Sequence, residues 1–194
     1  MKKPISAILR SKNTVFTFKD ISLIWRMTDK KSAIAGINYY VKTGGLYRIR
    51  RGIYAKDKDY DKVELASRIY TPAYVSFETV LTRSGINFQY YSQIFIASYL
   101  TREIIIDGQK YVYRKIKDAV LTDAAGVINK DGCAIATKER AFLDTIYINT
   151  DYHFDNLGAL DWDKVFEMLP LYNNQRMANK VDEFFNDFKG KNNI

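Results

Sequence analysis

Lys30-Lys31-Ser32-Ala33-Ile34-Ala35-Gly36-Ile37-Asn38-Tyr39-Tyr40-Val41-Lys42-Thr43-Gly44-Gly45-Leu46-Tyr47-Arg48-Ile49-Arg50-Arg51-Gly52-Ile53-Tyr54-Ala55 is the stretch that decides the fold. Its first half places Ala33, Ile34, Ile37, Tyr40 and Val41 at helical spacing, which predicts an amphipathic helix over residues 30–42 with those side chains inward. Thr28 or Asp29 supplies the N-cap. Lys31, Ala35, Asn38 and Lys42 follow one another at intervals of four, three and four and form the opposite stripe. Gly44 and Gly45 stop the helix, because glycine enters the left-handed region without a Cβ penalty. The second half alternates apolar and basic residues, breaks at Arg51-Gly52 and resumes, which predicts a two-stranded hairpin. Alternation sets Arg48 and Arg50 on one face and Tyr47 and Ile49 on the other.

Working outward toward the N-terminus, residues 4–11 read as a short helix with Ile5, Ile8 and Leu9 on one side. Residues 14–18 are β-like or a turn lead-in. Asp20 is the expected cap of a second helix running to Met27, with Ile21, Ile24 and Trp25 inward. Three helices followed by a basic hairpin is the outline of a winged helix-turn-helix, expected over residues 1–56.

Toward the C-terminus, a charged linker at 56–60 leads to a helix over 61–70 that buries Val63, Leu65, Ala66 and Ile69 and ends before Pro72. Ser76 caps a helix to Arg83, closed by Gly85, and residues 93–100 form a strand. Two hairpins follow. One pairs 104–107 with 110–115 around Asp107-Gly108, and the other pairs 127–129 with 134–136 around Lys130-Asp131-Gly132. Thr137 caps a helix over 138–148 with Ala141, Phe142, Thr145 and Ile146 inward, and Arg140 and Asp144, four apart, form an ion pair on one face. Helices over 157–168 and 173–188 flank Pro170. The expected class is α+β: a winged helix-turn-helix, then a mixed α+β domain over 57–194 with small antiparallel hairpins and C-terminal helices. There is no internal repeat.

Charge follows the same division. Residues 1–56 carry thirteen Lys and Arg against two acids, Asp20 and Asp29, a net of +11, whereas residues 57–194 carry seventeen against twenty, a net of −3. A compact basic module is drawn to a polyanion, and nucleic acid is the first candidate. With 47% hydrophobic residues the chain has material for a packed core. One cysteine, Cys133, excludes an internal disulfide and any multi-cysteine metal site. Residues 4–8 are too short for the apolar core of a signal peptide, and no apolar run approaches a bilayer span. A reducing cytoplasm, with no membrane partner, is the expected setting.

A helix that reads a major groove needs donors on its outward face. Lys30, Lys31 and Ser32 stand at its N-terminal end, Asn38 can contact adenine bidentately, and Tyr39 and Lys42 can reach phosphate. A solvated basic face accounts for that helix alone equally well. Arg48, Arg50 and Arg51 shift the balance, since like charges crowded on a short hairpin cost a few tenths of a kcal/mol per pair. Phosphate contact and groove insertion explain them, and the competing account is edge protection by charge.

Catalysis is poorly supplied. His153 is the only histidine, in a polar-aromatic loop, so a Ser-His-Asp or Cys-His arrangement would rest on it alone. Cys133 reads as a buried small side chain. No phosphate-binding glycine loop is present. Asp107, Asp118, Asp123 and Glu139 are the acids a nuclease would have to use, but Glu139 is followed by Arg140-Ala141 and Asp107 is explained by turn chemistry. No catalytic residue, metal ligand or cofactor is therefore expected. Two alternatives stand beside DNA binding: a nuclease docked by the basic module, and a protein-interaction module that meets an acidic partner.

Three ordered stretches carry a resemblance. They are Gly45-Leu46-Tyr47-Arg48-Ile49-Arg50-Arg51-Gly52-Ile53-Tyr54-Ala55, then Pro72-Ala73-Tyr74-Val75-Ser76-Phe77-Glu78-Thr79-Val80-Leu81 with Gly85, then Ala136-Thr137-Lys138-Glu139-Arg140-Ala141-Phe142-Leu143-Asp144-Thr145. In these the chain resembles the AbiEi-like antitoxins of type IV toxin–antitoxin and abortive-infection systems, over roughly residues 15–150, with Lys138 where a proline is common. The resemblance implies a non-enzymatic transcription regulator whose N-terminal winged helix binds double-stranded operator DNA, usually inverted repeats, and represses its own operon. It implies that the remainder counteracts a nucleotidyltransferase-type toxin without requiring a stable complex. It assigns DNA contact to Lys30, Lys31, Asn38 and Lys42 on the helix and to Arg48, Arg50 and Arg51 on the hairpin.

Overall fold

The structure, a computed structural model, describes residues 5–130 and 132–192. The chain is α+β and divides into two units, residues up to 69 with Gly132 and Cys133, and residues 70–130 with those from 134 onward. The first boundary falls after residue 69, not after 56 as the charge pattern predicts. The helix α4 (Lys62–Ile69) explains the shift. Glu64 on it accepts hydrogen bonds from the Thr14 amide and hydroxyl, both at 2.7 Å. Arg68 pairs with Asp20 at 2.7 Å and with Glu64 at 3.0 Å.

In the first unit the order is α1 (Ile5–Arg10), β1 (Val15–Thr17), α2 (Phe18–Ile24), α3 (Lys30–Lys42), β2 (Tyr47–Arg50), β3 (Ile53–Ala55) and then α4. The strands make an antiparallel sheet of order β1-β3-β2. Ile8, Phe16, Ile21, Ile37, Leu46 and Tyr54 form the core, with Trp25, Tyr40 and Val41 packed against it. Each such burial is worth about 1.5–3 kcal/mol. Thr17, not Asp20, is the N-cap of α2. Its hydroxyl accepts from the Asp20 amide, and the Asp20 carboxylate reaches back to the Thr17 amide at 2.8 Å, closing a capping box. Asp29 caps α3 as expected. Gly36 lets α2 approach α3, because a Cβ there would lie 3.2 Å from the Trp25 ring. At the C-terminus of α3, Gly44 adopts φ +75° and the Gly45 amide bonds back to the Tyr40 carbonyl at 2.8 Å.

The second unit is built on a six-stranded mixed sheet. Its members are β4 (Ala73–Val75), β5 (Ile94–Ser98), β6 (Arg102–Ile106), β7 (Gln109–Lys115), β8 (Val127–Lys130) and β9 (Cys133–Ala136). The spatial order is β6-β7-β5-β4-β9-β8, with β5/β7 and β4/β9 parallel. Both predicted hairpins are therefore parts of one sheet. Residue Asp131 of the second turn lies outside the described residues. The helices are α5 (Phe77–Arg83), α6 (Asp118–Leu121), α7 (Lys138–Ile148), α8 (Trp162–Met168) and α9 (Gln175–Asn192). Residues 157–159 are a separate 3-10 turn, not the start of α8, and α9 begins two residues later than the sequence predicts and runs further. Among the described residues no helix is long and apolar enough to cross a membrane.

Candidate nucleic-acid interface

Helical geometry puts Lys31, Ala35, Asn38 and Lys42 within a narrow arc of α3, about 60° wide at 100° per residue. All four are exposed, as are Lys30, Ser32 and Tyr39. Ala33 and Ile37, on the other side, are buried. Ile34 departs from expectation. The period assigns it inward, yet it is 42% exposed and stands one turn before Asn38, beside the polar stripe. Its spacing of four from Asn38 was the signal available in the sequence.

Ser32 already has a task. Its hydroxyl donates to Asp29 Oδ2 at 2.6 Å, and the same carboxylate accepts from the Lys31 and Ser32 amides. The Ser32 hydroxyl, then the two amides, hold the Asp29 carboxyl below its ordinary range. The cap thus sets an anion at the N-terminal, positive end of the α3 dipole.

On the hairpin Arg48, Arg50 and Arg51 are exposed, and Tyr47 and Ile49 are half-buried. The ladder shifts between Arg48 and Arg50, where Arg48 faces Tyr54 and Arg50 faces Ile53. This bulge precedes the turn at Gly52, which has φ +81°. The three arginines do not behave alike. Arg48 Nη2 donates to Asn38 Oδ1 at 2.5 Å, and its guanidinium lies 5.7 Å from the Tyr54 ring centroid. The side chains of Arg50 and Arg51 make no hydrogen bond or ion pair among the described residues. Strand β2 is thereby brought against α3 at Asn38.

In the second unit the conspicuous polar cluster is buried. Arg140 and Asp144 are fully enclosed and pair at 3.3 Å, so the ion pair read from the sequence forms, and it lies in the core. Asp144 also accepts from Ser76 at 2.7 Å, Tyr172 at 2.7 Å and Tyr74 at 3.2 Å. Arg140 donates to Tyr74 and to the Val120 and Ala125 carbonyls. Ser76 precedes α5 as predicted but makes no side-chain cap bond, because its hydroxyl is committed to Asp144. Burial first, then the Asp144 charge, drives the Tyr74 and Tyr172 phenols far above their ordinary range, so both remain donors. Two of the resemblance-bearing stretches, 72–81 and 136–145, meet in this network, all of whose side chains are buried.

The remaining chemical residues lie apart. Asp107 sits in the β6–β7 turn at φ +46°, Glu139 is buried beside the Asp161 amide, Asp118 opens α6 and Asp123 follows its C-cap. Among the described residues no three of His, Cys, Asp and Glu gather as metal ligands. His153 is 86% exposed, with Asp155 at 3.7 Å. Cys133 is buried and its thiol faces the Val63 carbonyl at 3.4 Å. Burial pushes that thiol up to about 11, the opposite of an activated nucleophile.

No protein-family model and no curated protein matches the chain. Among solved structures it is similar to the crystal structure of the RV2827C protein from Mycobacterium tuberculosis, with a TM-score of 0.47 and 12% sequence identity, over 92% of this chain and 74% of that one.

Proposed function

We propose that the chain is a DNA-binding transcriptional repressor whose first unit is a winged helix-turn-helix, and that it serves as the antitoxin of a type IV, AbiE-like toxin–antitoxin system. The observation that carries this reading is the exposed cationic face on which Lys31, Asn38 and Lys42 of α3 stand next to Arg48 of the hairpin, with Arg50 and Arg51 at the tip. The order β1-α2-α3-β2-β3, closed by the sheet β1-β3-β2, supports assigning α3 to a major groove and the hairpin to the adjoining backbone. Helix residues supply base contacts, and Arg50 and Arg51 at the hairpin tip supply phosphate contacts. The antitoxin half of the proposal rests on the resemblance over residues 15–150.

Gel retardation on a duplex taken from immediately upstream of its own coding sequence tests the first half. Retardation at low salt that survives excess unrelated duplex is expected, and no retardation at low salt would end the proposal. For the second half, co-expression should restore growth to cells that produce a neighbouring nucleotidyltransferase-type toxin.

A further inference from the structure

The Arg48–Asn38 bond separates one hairpin arginine from the other two. A guanidinium has donors only, so the atom of Asn38 that faces Arg48 must be Oδ1. That fixes which way the amide points. Oδ1 keeps a second lone pair, and Nδ2 keeps both protons. Adenine presents N6–H as donor and N7 as acceptor in the major groove, so an amide held in this sense matches it without a flip or a search over rotamers. Arg48 is itself held from below, with its guanidinium 5.7 Å from the Tyr54 ring centroid. Tyr54 is buried in the core and is the cross-strand partner of Arg48. A chain of support therefore runs from the core through Tyr54 and Arg48 to Asn38.

Resting on the DNA-binding reading, we infer that Arg48 is a positioning residue for base recognition: it orients the Asn38 amide toward an adenine instead of serving as a phosphate clamp. Ile34, exposed one turn before Asn38, adds an apolar contact suited to a neighbouring thymine methyl. The recognised element is an A·T pair at the Asn38 position. Arg50 and Arg51 remain the phosphate ligands of the hairpin.

The test is selection from a duplex library with a randomised core, using the full chain and the variants Arg48→Lys, Arg48→Ala, Asn38→Ala and Arg50→Ala. Lysine keeps the charge but, as a flexible point donor on a shorter head group, does not hold the amide in plane. The wild type should enrich a motif with one strongly preferred A·T pair. Arg48→Lys and Asn38→Ala should both relax preference at that one pair, roughly tenfold or more, and their double variant should relax it no further. Arg48→Lys should retain the salt dependence of the wild type, whereas Arg50→Ala should weaken all duplexes alike and keep the motif. If Arg48→Lys keeps the wild-type motif, or if Arg48→Ala lowers the salt slope by about 0.9 with preference intact, Arg48 is a phosphate ligand and the inference fails while the DNA-binding reading stands. No enrichment by the wild type would remove both. Far-ultraviolet circular dichroism of each variant, at an exposed position, checks that the unit is folded.

Discussion

Asp144 is a carboxylate with no exposed surface, and it survives there because an arginine and three hydroxyls answer it. Burial raises its carboxyl above the ordinary range, although Arg140 and then the Tyr172, Ser76 and Tyr74 hydroxyls favour the ionised form. Removing one member of such a pair strands the other in a medium that cannot solvate it. Asp144→Ala should therefore cost about 3–5 kcal/mol, read as a lower urea midpoint at pH 7. Tyr172→Phe, which deletes one donor and leaves the charge paired, should cost about 1–2 kcal/mol. Joint replacement by Arg140→Met and Asp144→Leu should cost less than the sum of the single changes, because it leaves no unpaired charge. A paired cost equal to the sum of the single costs would show that packing, not charge, is what the network contributes. Phe77, next to Ser76, adds to the burden on this region: it holds φ +53° while fully buried, with the Arg114 guanidinium 5.0 Å from its ring centroid. A left-handed conformation costs a bulky side chain about 1–2 kcal/mol, which the surrounding packing must outweigh.

At the scale of elements, the hairpin hangs on its turn. Gly52 takes φ +81° with open space around the position of a Cβ, and its carbonyl accepts from the Phe18 amide at 2.9 Å at the start of α2. Gly52→Ala meets no steric neighbour, so its cost is conformational, about 1–2 kcal/mol. A fall of about 2–8 °C in melting temperature is expected for a chain of this size, measured by calorimetry. The larger effect should be on duplex affinity, which should fall for every sequence because the turn aims Arg50 and Arg51. Unchanged affinity with a lowered melting temperature would take the hairpin tip out of the interface. The hairpin and α3 were legible in the sequence because their signals are local: period, alternation and a glycine stop lie within 26 consecutive residues. What was not legible was non-local or too short. The parallel pairings β5/β7 and β4/β9 join segments that no local pattern links, α6 has only four residues, and the burial of Arg140–Asp144 depends on Tyr74, Ser76 and Tyr172, which arrive from elsewhere in the chain. Thr17 does not stand out as a cap because the usual capping box has Ser or Thr followed by Glu or Gln, and here the third residue is Asp20. In the candidate interface the nine residues read from sequence are all exposed, but their division of labour was invisible: Ser32 is bound into the cap, Arg48 is bound to Asn38, and Ile34 joins the outer face.

For the whole molecule the governing quantity is where the charge lies. Redrawn at the observed boundary, residues 1–69 hold sixteen Lys and Arg against six acids, a net of +10, and the rest hold fourteen against sixteen, a net of −2. A polyanion is thus attracted by one unit and faintly opposed by the other, and the attraction must be sensitive to salt, since each neutralised phosphate releases condensed counterions. Five basic side chains on α3 and the hairpin are exposed and without an acidic partner among the described residues: Lys30, Lys31, Lys42, Arg50 and Arg51. With Arg48 turned to Asn38, these five set the expected slope of log K against log salt at about −4.5, at about −0.9 per phosphate. Between 50 and 200 mM salt the affinity for any duplex should then fall by roughly 500-fold, measured by fluorescence anisotropy. Changing Arg50 and Arg51 together to alanine should bring the slope to about −2.7, with the sequence preference unaltered. A slope near −1 in the unaltered chain would mean that these cations do not meet phosphates at all, and the basic unit would then have to be recognising something other than a duplex.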